Sequence, residues 1–192
     1  MSSSPPRRRN AAATREAILQ SAIGHFARAG YDGAGVREIA RDAGVTAMLV
    51  NRYFGSKEQL FAEAVDISFT PPVFIADRPE VAGTWTAAAL VARTNPDAEP
   101  PEPFLIMLRS LSNPRATEIV RDALERHVGR RLANRIPGPG GRLRGEVVLS
   151  LIAGTLLMRR VIGMPTLGEA QPQELQPLLE AVLAVIEETP TT

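Results

Sequence analysis

The chain has 192 residues, enough for one domain or two small ones with a real core. It has no cysteine and only two histidines, His25 and His127. Disulfides, thiolate chemistry and cysteine-ligated zinc are therefore excluded, and no metal or cofactor is expected. The net charge is only +1, but residues 1–60 carry nine basic side chains against five acidic, whereas residues 61–192 lean acidic. A basic end of this kind suits contact with nucleic acid.

No apolar run reaches the roughly eighteen residues that a membrane-spanning helix needs. The arginines of MSSSPPRRRN are not followed by an apolar stretch, so no signal peptide is expected. A cytoplasmic protein is the expectation, with no membrane partner. Carboxylates are plentiful, yet none is grouped with a histidine or a glycine-rich phosphate loop in a recognisable arrangement, so no enzyme is expected.

Residues 1–13 are polar, contain proline and carry Arg7, Arg8 and Arg9. They read as a disordered basic arm, either a solvated tail or a segment that reaches DNA. The first helix is predicted to start at Thr14 as N-cap, with Glu16 in its first turn, and to close at Gly30. Ile18, Ala22 and Phe26, with Leu19 and Ile23 beside them, form its apolar stripe, against which Tyr31 packs. Val36, Ile39 and Ala40 give the second helix one apolar face. Gly44 stands where a left-handed residue ends that helix, and Thr46 where an N-cap opens the next. In the third helix Val50 and Phe54 point inward, which leaves Ala47, Met48, Asn51 and Arg52 outside. Two short helices about a glycine turn, residues 35–54, are a helix-turn-helix, whose second helix enters the major groove.

Ser56 is predicted to cap a fourth helix with Leu60, Phe61, Ala64 and Val65 inside, ended by Thr70-Pro71-Pro72. A short helix follows over about 79–93, then a proline-rich loop (NPDAEPPEP), then a short, deeply buried helix from Phe104. Residues 115–134 make a longer helix, and Pro137–Gly141 a break. The segment Leu143–Met164 lacks a polar face over more than three turns, so its helix must be buried all round. Gly154 and Ala153 permit close approach of a neighbouring helix. The last helix, about 173–188, repeats leucine and valine. This final pair is read as a homodimer interface formed by Val148, Leu151, Ile152, Leu156, Leu175, Leu178, Leu179, Val182 and Ile186, two helices from each subunit making a four-helix bundle. The fold class is all-α, with about nine helices and no strand-period alternation.

Residues 14–66 resemble the DNA-binding domain of the TetR family of bacterial transcriptional regulators. The residues that carry the likeness are the Ile-Leu…Ala…Phe spacing of Thr14–Gly30, then Val36-Arg37-Glu38-Ile39-Ala40, Ala43-Gly44-Val45, and Tyr53-Phe54-Gly55-Ser56-Lys57-Glu58 with Leu60. Residues 67–192 are similar to the family's ligand-binding and dimerising domain, and the phrases around Met107–Asn113 and Met158–Leu167 look like an actinobacterial-type branch. The resemblance implies a dimeric regulator, in most cases a repressor, released from its operator by a small apolar effector. A DNA-binding regulator or scaffold without a small-molecule ligand, controlled by a protein partner or by abundance, is the alternative.

On the DNA face, Arg37 has the fork to bond a guanine edge or a phosphate, and Asn51 can pair with adenine N6 and N7. Arg52 reaches base or phosphate, and Ala47 and Met48 suit a thymine methyl. Thr46, Tyr53 and Lys57 carry hydroxyl or ammonium groups placed for the backbone, which positions without reading sequence. Many relatives have a hydroxyl residue where Gly35 stands, glycine at Met48 and tyrosine at Asn51, so no operator sequence transfers to this chain. The effector cavity that the resemblance implies would be lined by Phe69, Phe74, Trp85, Phe104, Met107, Leu111 and Met158, each of which is also an ordinary core residue.

Overall fold

In a computed structural model the backbone is described for residues 6–70, 82–95, 100–136 and 138–189. Among these the regular elements are all helical. Helix α1 spans Pro6–Gly33, α2 Val36–Asp42, α3 Ala47–Phe54, α4 Lys57–Phe69, α5 Ala82–Arg93 and α6 Glu102–Ser110. Helix α7 (Pro114–Leu124) runs through a π-type turn, Glu125–Gly129, into α8 (Arg130–Arg135). Helix α9 (Gly141–Leu156) continues into a second such turn, Leu157–Ile162, and α10 (Pro165–Glu169) and α11 (Pro172–Glu188) close the chain. No described helix is long and apolar enough to cross a membrane.

The first helix begins eight residues earlier than Thr14, at Pro6, so Thr14 lies inside it and not at its start. Proline at a helix start loses no hydrogen bond, and Ala11–Ala13 after it have high helix propensity. Part of the stretch read as a disordered arm is therefore helical. The side chains of Arg7–Arg9 lie outside the described residues. The predicted end at Gly30 is a true break: its φ of 68° is left-handed, and a Cβ there would overlap the carbonyl oxygen of Arg109. The single helix expected over 115–134 is interrupted by the first π-type turn.

The chain divides into two compact units, Met1–Ser68 with Glu102–Asp122, and Phe69–Pro101 with Ala123–Thr192. The first therefore takes in α6 and most of α7, which by sequence position alone fall in the C-terminal part. Its core is the predicted one. Ile18, Leu19, Ala22, Phe26, Ile39, Leu60, Phe61, Ala64 and Val65 are fully buried. The Phe61 ring stands edge-on to Phe26 and Tyr31, with centroids 4.9 Å away in both cases. Each large side chain buried in this way contributes about 1.5–3 kcal/mol. Helix α6 is fastened to the end of α1: the Tyr31 N–H donates to Ser110 Oγ at 3.1 Å, Arg109 donates to the Ala27 carbonyl, and Asn113 donates to Asp32 at 2.8 Å.

In the second unit α11 packs on α5 and α9, and α8 packs on α9. Gly145 makes the last contact possible, since a Cβ there would lie 2.9 Å from Leu132 Cβ. The residues expected at a dimer interface do not share one uncovered face. Val148, Ile152, Leu156, Leu175 and Leu179 point into the unit's own core, Ile186 is half-buried, and Leu183 completes the inward row of α11. What remains uncovered is a neighbouring stripe: Leu143, Val147, Met158, Val161 and Ile162 with half-buried Leu151, and Leu178, Val182 and Val185 on α11. Helix α9 thus carries two apolar rows, of which only one is buried within the chain. Gly154 lies on the same stripe with nothing within 4 Å of a built Cβ.

Candidate nucleic-acid interface

Helices α2 and α3 are set by their ends. The Val45 N–H bonds the Ala40 carbonyl at 2.9 Å and the Gly44 N–H bonds that of Arg41 at 3.1 Å, a Schellman closure that needs a left-handed residue between them. Gly44 supplies it, with φ 68°. Thr46 then opens α3 with extended backbone, its hydroxyl accepting from the Leu49 N–H at 3.3 Å. Val50 and Phe54 are buried on the inner side. The Arg15 guanidinium lies over the Phe54 ring and also pairs with Glu63.

The outward face is as the spacing requires. Met48 is 82% exposed, and Asn51 and Arg52 are exposed beside it. Thr46 is exposed, and Ala47 and Tyr53 are half-buried at the margins. Arg37 is exposed on α2 and makes no ion pair with Glu38 or Asp42. Asp42 is engaged elsewhere, by His25 Nε2 at 2.6 Å and by Arg28 at 3.8 Å. Among the described residues Arg37, Asn51 and Arg52 have no intramolecular side-chain partner, so their hydrogen-bonding groups are available to a ligand. Gly35 caps α2 without any side-chain bond, so this helix start offers backbone amides alone.

Lys57 is half-buried at the start of α4, where the Ser56 hydroxyl accepts from the Gln59 N–H at 3.1 Å. Its Nζ lies 4.9 Å from the centroid of the Tyr31 ring and donates to the Asp32 carbonyl at 3.4 Å. The ammonium is thereby held at a helix N-terminus, a position that favours a phosphate. Burial first, then the charges of Glu58 and Asp32, raise the Tyr31 phenol above its ordinary value, so it stays protonated and neutral beneath the ammonium. Arg115 bonds Glu118 at 2.8 Å and Glu58 at 2.9 Å, which holds its guanidinium above the usual range.

Sequence reasoning passed over the polar row of α1 that fixes α2. Ser21 donates to the Ile39 carbonyl at 3.0 Å, and His25 and Arg28 hold Asp42. Their spacing, i, i+4 and i+7 on one side of an otherwise apolar helix, was the available signal.

The residues expected to line an effector cavity do not gather in one unit. Phe104, Met107 and Leu111 belong to the first, and Phe69, Trp85 and Met158 to the second. Phe104 is buried, Phe69 and Met107 are half-buried, and Leu111 and Met158 are exposed. The side chain of Trp85 and the whole of Phe74 lie outside the described residues.

A three-helix head with a capped recognition helix, joined to a second helical unit, is the architecture of a helix-turn-helix transcriptional regulator. The comparisons place it within that class. The family profile described as bacterial regulatory proteins, tetR family, matches residues 18–64. The one described as tetracyclin repressor-like, C-terminal domain, matches residues 80–186, more than half of the chain. The chain belongs to the TetR family of DNA-binding transcriptional regulators.

Among its relatives, the HTH-type transcriptional repressor SCO4008 of Streptomyces coelicolor is 34% identical over 70 residues, which span 34% of this chain and 36% of that protein. The chain therefore matches only about a third of that relative's length. A solved TetR-family regulator, SCO0857 of Streptomyces coelicolor, is 26% identical, with a TM-score of 0.56 over 93% of this chain and 96% of that one. The multidrug binding protein EbrR, solved with proflavin, is 18% identical, with a TM-score of 0.61 over 90% and 99%, and shares the fold.

Proposed function

We propose that the protein is a repressor that binds a near-palindromic operator as a homodimer and leaves it when a small effector occupies its C-terminal unit. The observation that carries this reading is the uncommitted face of α2 and α3, where Arg37, Met48, Asn51 and Arg52 are exposed and the three polar side chains lack an internal partner. Arg37 and Asn51 read base edges, Met48 supplies apolar contact to a thymine methyl, and Arg52 bonds base or phosphate. Thr46, Ala47, Tyr53 and Lys57 frame that face, and the hydroxyls and the ammonium fix register on the backbone.

The uncovered stripe of α9 and α11 supports dimerisation, because apolar rows of this length are seldom left in water. Packed two by two they form a four-helix bundle, and the two recognition helices then meet half-sites about one helical turn, roughly 34 Å, apart. Repression follows the role of SCO4008, a transcriptional repressor that matches about a third of this chain. The effector follows EbrR, which holds proflavin on the same fold. An effector that binds only the conformation unable to span both half-sites releases DNA by population shift.

The test is footprinting on the protein's own promoter region, followed by gel-shift titration of variants on the protected site. Arg37→Ala and Asn51→Ala each weaken operator binding by about 1–3 kcal/mol and relax the preference at one base pair. Unchanged binding by both variants overturns the assigned face.

A further inference from the structure

Arg159 sits in the π-type turn that follows α9, and only 4% of it is exposed. Nη1 donates to the Thr94 hydroxyl at 2.8 Å and to the Val91 carbonyl at 3.4 Å, and Nη2 donates to the Ala170 carbonyl at 2.8 Å. Every one of these acceptors is neutral. No carboxylate of the described residues pairs with it, and its buried Nε has no acceptor. The adjacent side chain, Arg160, is a second cation. Burial, and then repulsion from Arg160, push Arg159 below the usual arginine range.

A buried charge is normally paired, because desolvation costs far more than neutral dipoles return. The Val91 carbonyl, in the last turn of α5, offsets part of that cost through the helix dipole, which holds the cation in place without neutralising it. The guanidinium edge that is least satisfied carries Nε and Nη2. That edge bonds a carboxylate through two parallel hydrogen bonds. A π-type turn is rare in helices and is frequent at functional sites. The helix that supplies Val91 also carries Ala87 and Leu90, both fully buried, so the charge is held beside an apolar core.

We infer that the effector is an apolar molecule ending in a carboxylate, which binds Arg159 through Nε and Nη2 and takes the place of the Ala170 carbonyl. Ala170 lies between α10 and α11. Its release frees the start of α11, the helix that bears part of the uncovered stripe. This inference rests on the effector-responsive reading above and specifies the chemical class of the effector.

The test uses the full-length chain with linear carboxylates from hexanoate to dodecanoate and, at equal concentration, their methyl esters. Melting temperature and operator release are read for the native protein, Arg159→Gln and Arg159→Lys. The expected result is that a carboxylate of suitable length raises the melting temperature and releases the operator, while its ester does neither. Arg159→Gln weakens the apparent affinity by about tenfold or more, the loss expected for a hydrogen-bonded charge pair. Arg159→Lys, which keeps the charge without the fork, falls between. It carries the comparison if the glutamine variant no longer folds.

Esters that act as well as acids, or an Arg159→Gln protein that responds like the native one, overturn the assignment of Arg159 while the effector-responsive reading stands. If no acid in the series acts, the carboxylate assignment is overturned. Operator release by neutral compounds then decides the broader reading separately.

Discussion

The phase of the uncovered stripe separates two adjacent leucines. Leu178 is 66% exposed on α11, whereas Leu179 is 6% exposed and faces the core of its own unit. Full burial of a leucine is worth about 1.5–3 kcal/mol, so covering the exposed two-thirds of Leu178 contributes about 1–2 kcal/mol. A two-fold interface repeats the contact, so Leu178→Ala costs about 2–4 kcal/mol of association, a weakening of roughly 30- to 700-fold. Leu179→Ala opens a cavity and lowers subunit stability by about 2–5 kcal/mol. It leaves the dimer constant of the folded protein much closer to native. Sedimentation equilibrium over a dilution series, well below the melting temperature, measures the first effect, and thermal melts measure the second. A Leu178→Ala protein that dimerises like the native one, beside a Leu179→Ala protein that dissociates, would falsify the assigned face. A native chain that stays monomeric at micromolar concentration would remove the interface altogether.

Lys57→Ala lowers affinity for operator and unrelated DNA alike and reduces the salt slope of binding by about one, measured by titration at several ionic strengths. Gly44→Ala costs about 1–2 kcal/mol of left-handed strain and no collision, since nothing lies within 4 Å of a Cβ there. Gly30→Ala adds overlap with the Arg109 carbonyl, so its melting temperature falls further than that of Gly44→Ala. The raised Tyr31 phenol contributes stability that is fully present below its unfolded value of 10.0 and is lost as pH rises through the higher folded value. Melts across that alkaline range should therefore steepen for the native chain and flatten for Tyr31→Phe.

The reading head was legible because its determinants are local. Gly44 and Thr46 act within one turn of their own positions, and Leu60, Phe61, Ala64 and Val65 recur with the period of one buried face. The helix start at Pro6 was not legible, because Thr14 carries the same cap chemistry whether or not the chain before it is helical. Contacts between elements far apart in sequence were hidden for a different reason. Nothing near Arg109 or Asn113 announces that they fasten to Ala27 and Asp32, so α6 was grouped with its sequence neighbours. The outward side chains of α3 were legible by elimination: once Val50 and Phe54 are inside, Met48, Asn51 and Arg52 have only the outside left.

The phase of the inward face was not legible because periodicity fixes it only when the rest of the helix surface is polar. Helix α9 has an exposed polar row, Arg142, Glu146 and Ser150, but beside its inward row, Val148, Ile152 and Leu156, runs a second apolar row, Leu143, Val147 and Leu151. Helix α11 carries two rows as well, with Leu175, Leu179 and Leu183 inside and Leu178, Val182 and Val185 outside. A helix that covers only its own core gains nothing from the second row and exposes it to water. A helix placed between its own core and a partner needs both. In the homodimer proposed above, the wide apolar circumference follows from that sandwiched position, and the small residue marks the crossing. Gly154, open on its outer side, is where two copies of α9 can bring their backbones closest, so Gly154→Leu should displace that crossing and weaken association while sparing the fold.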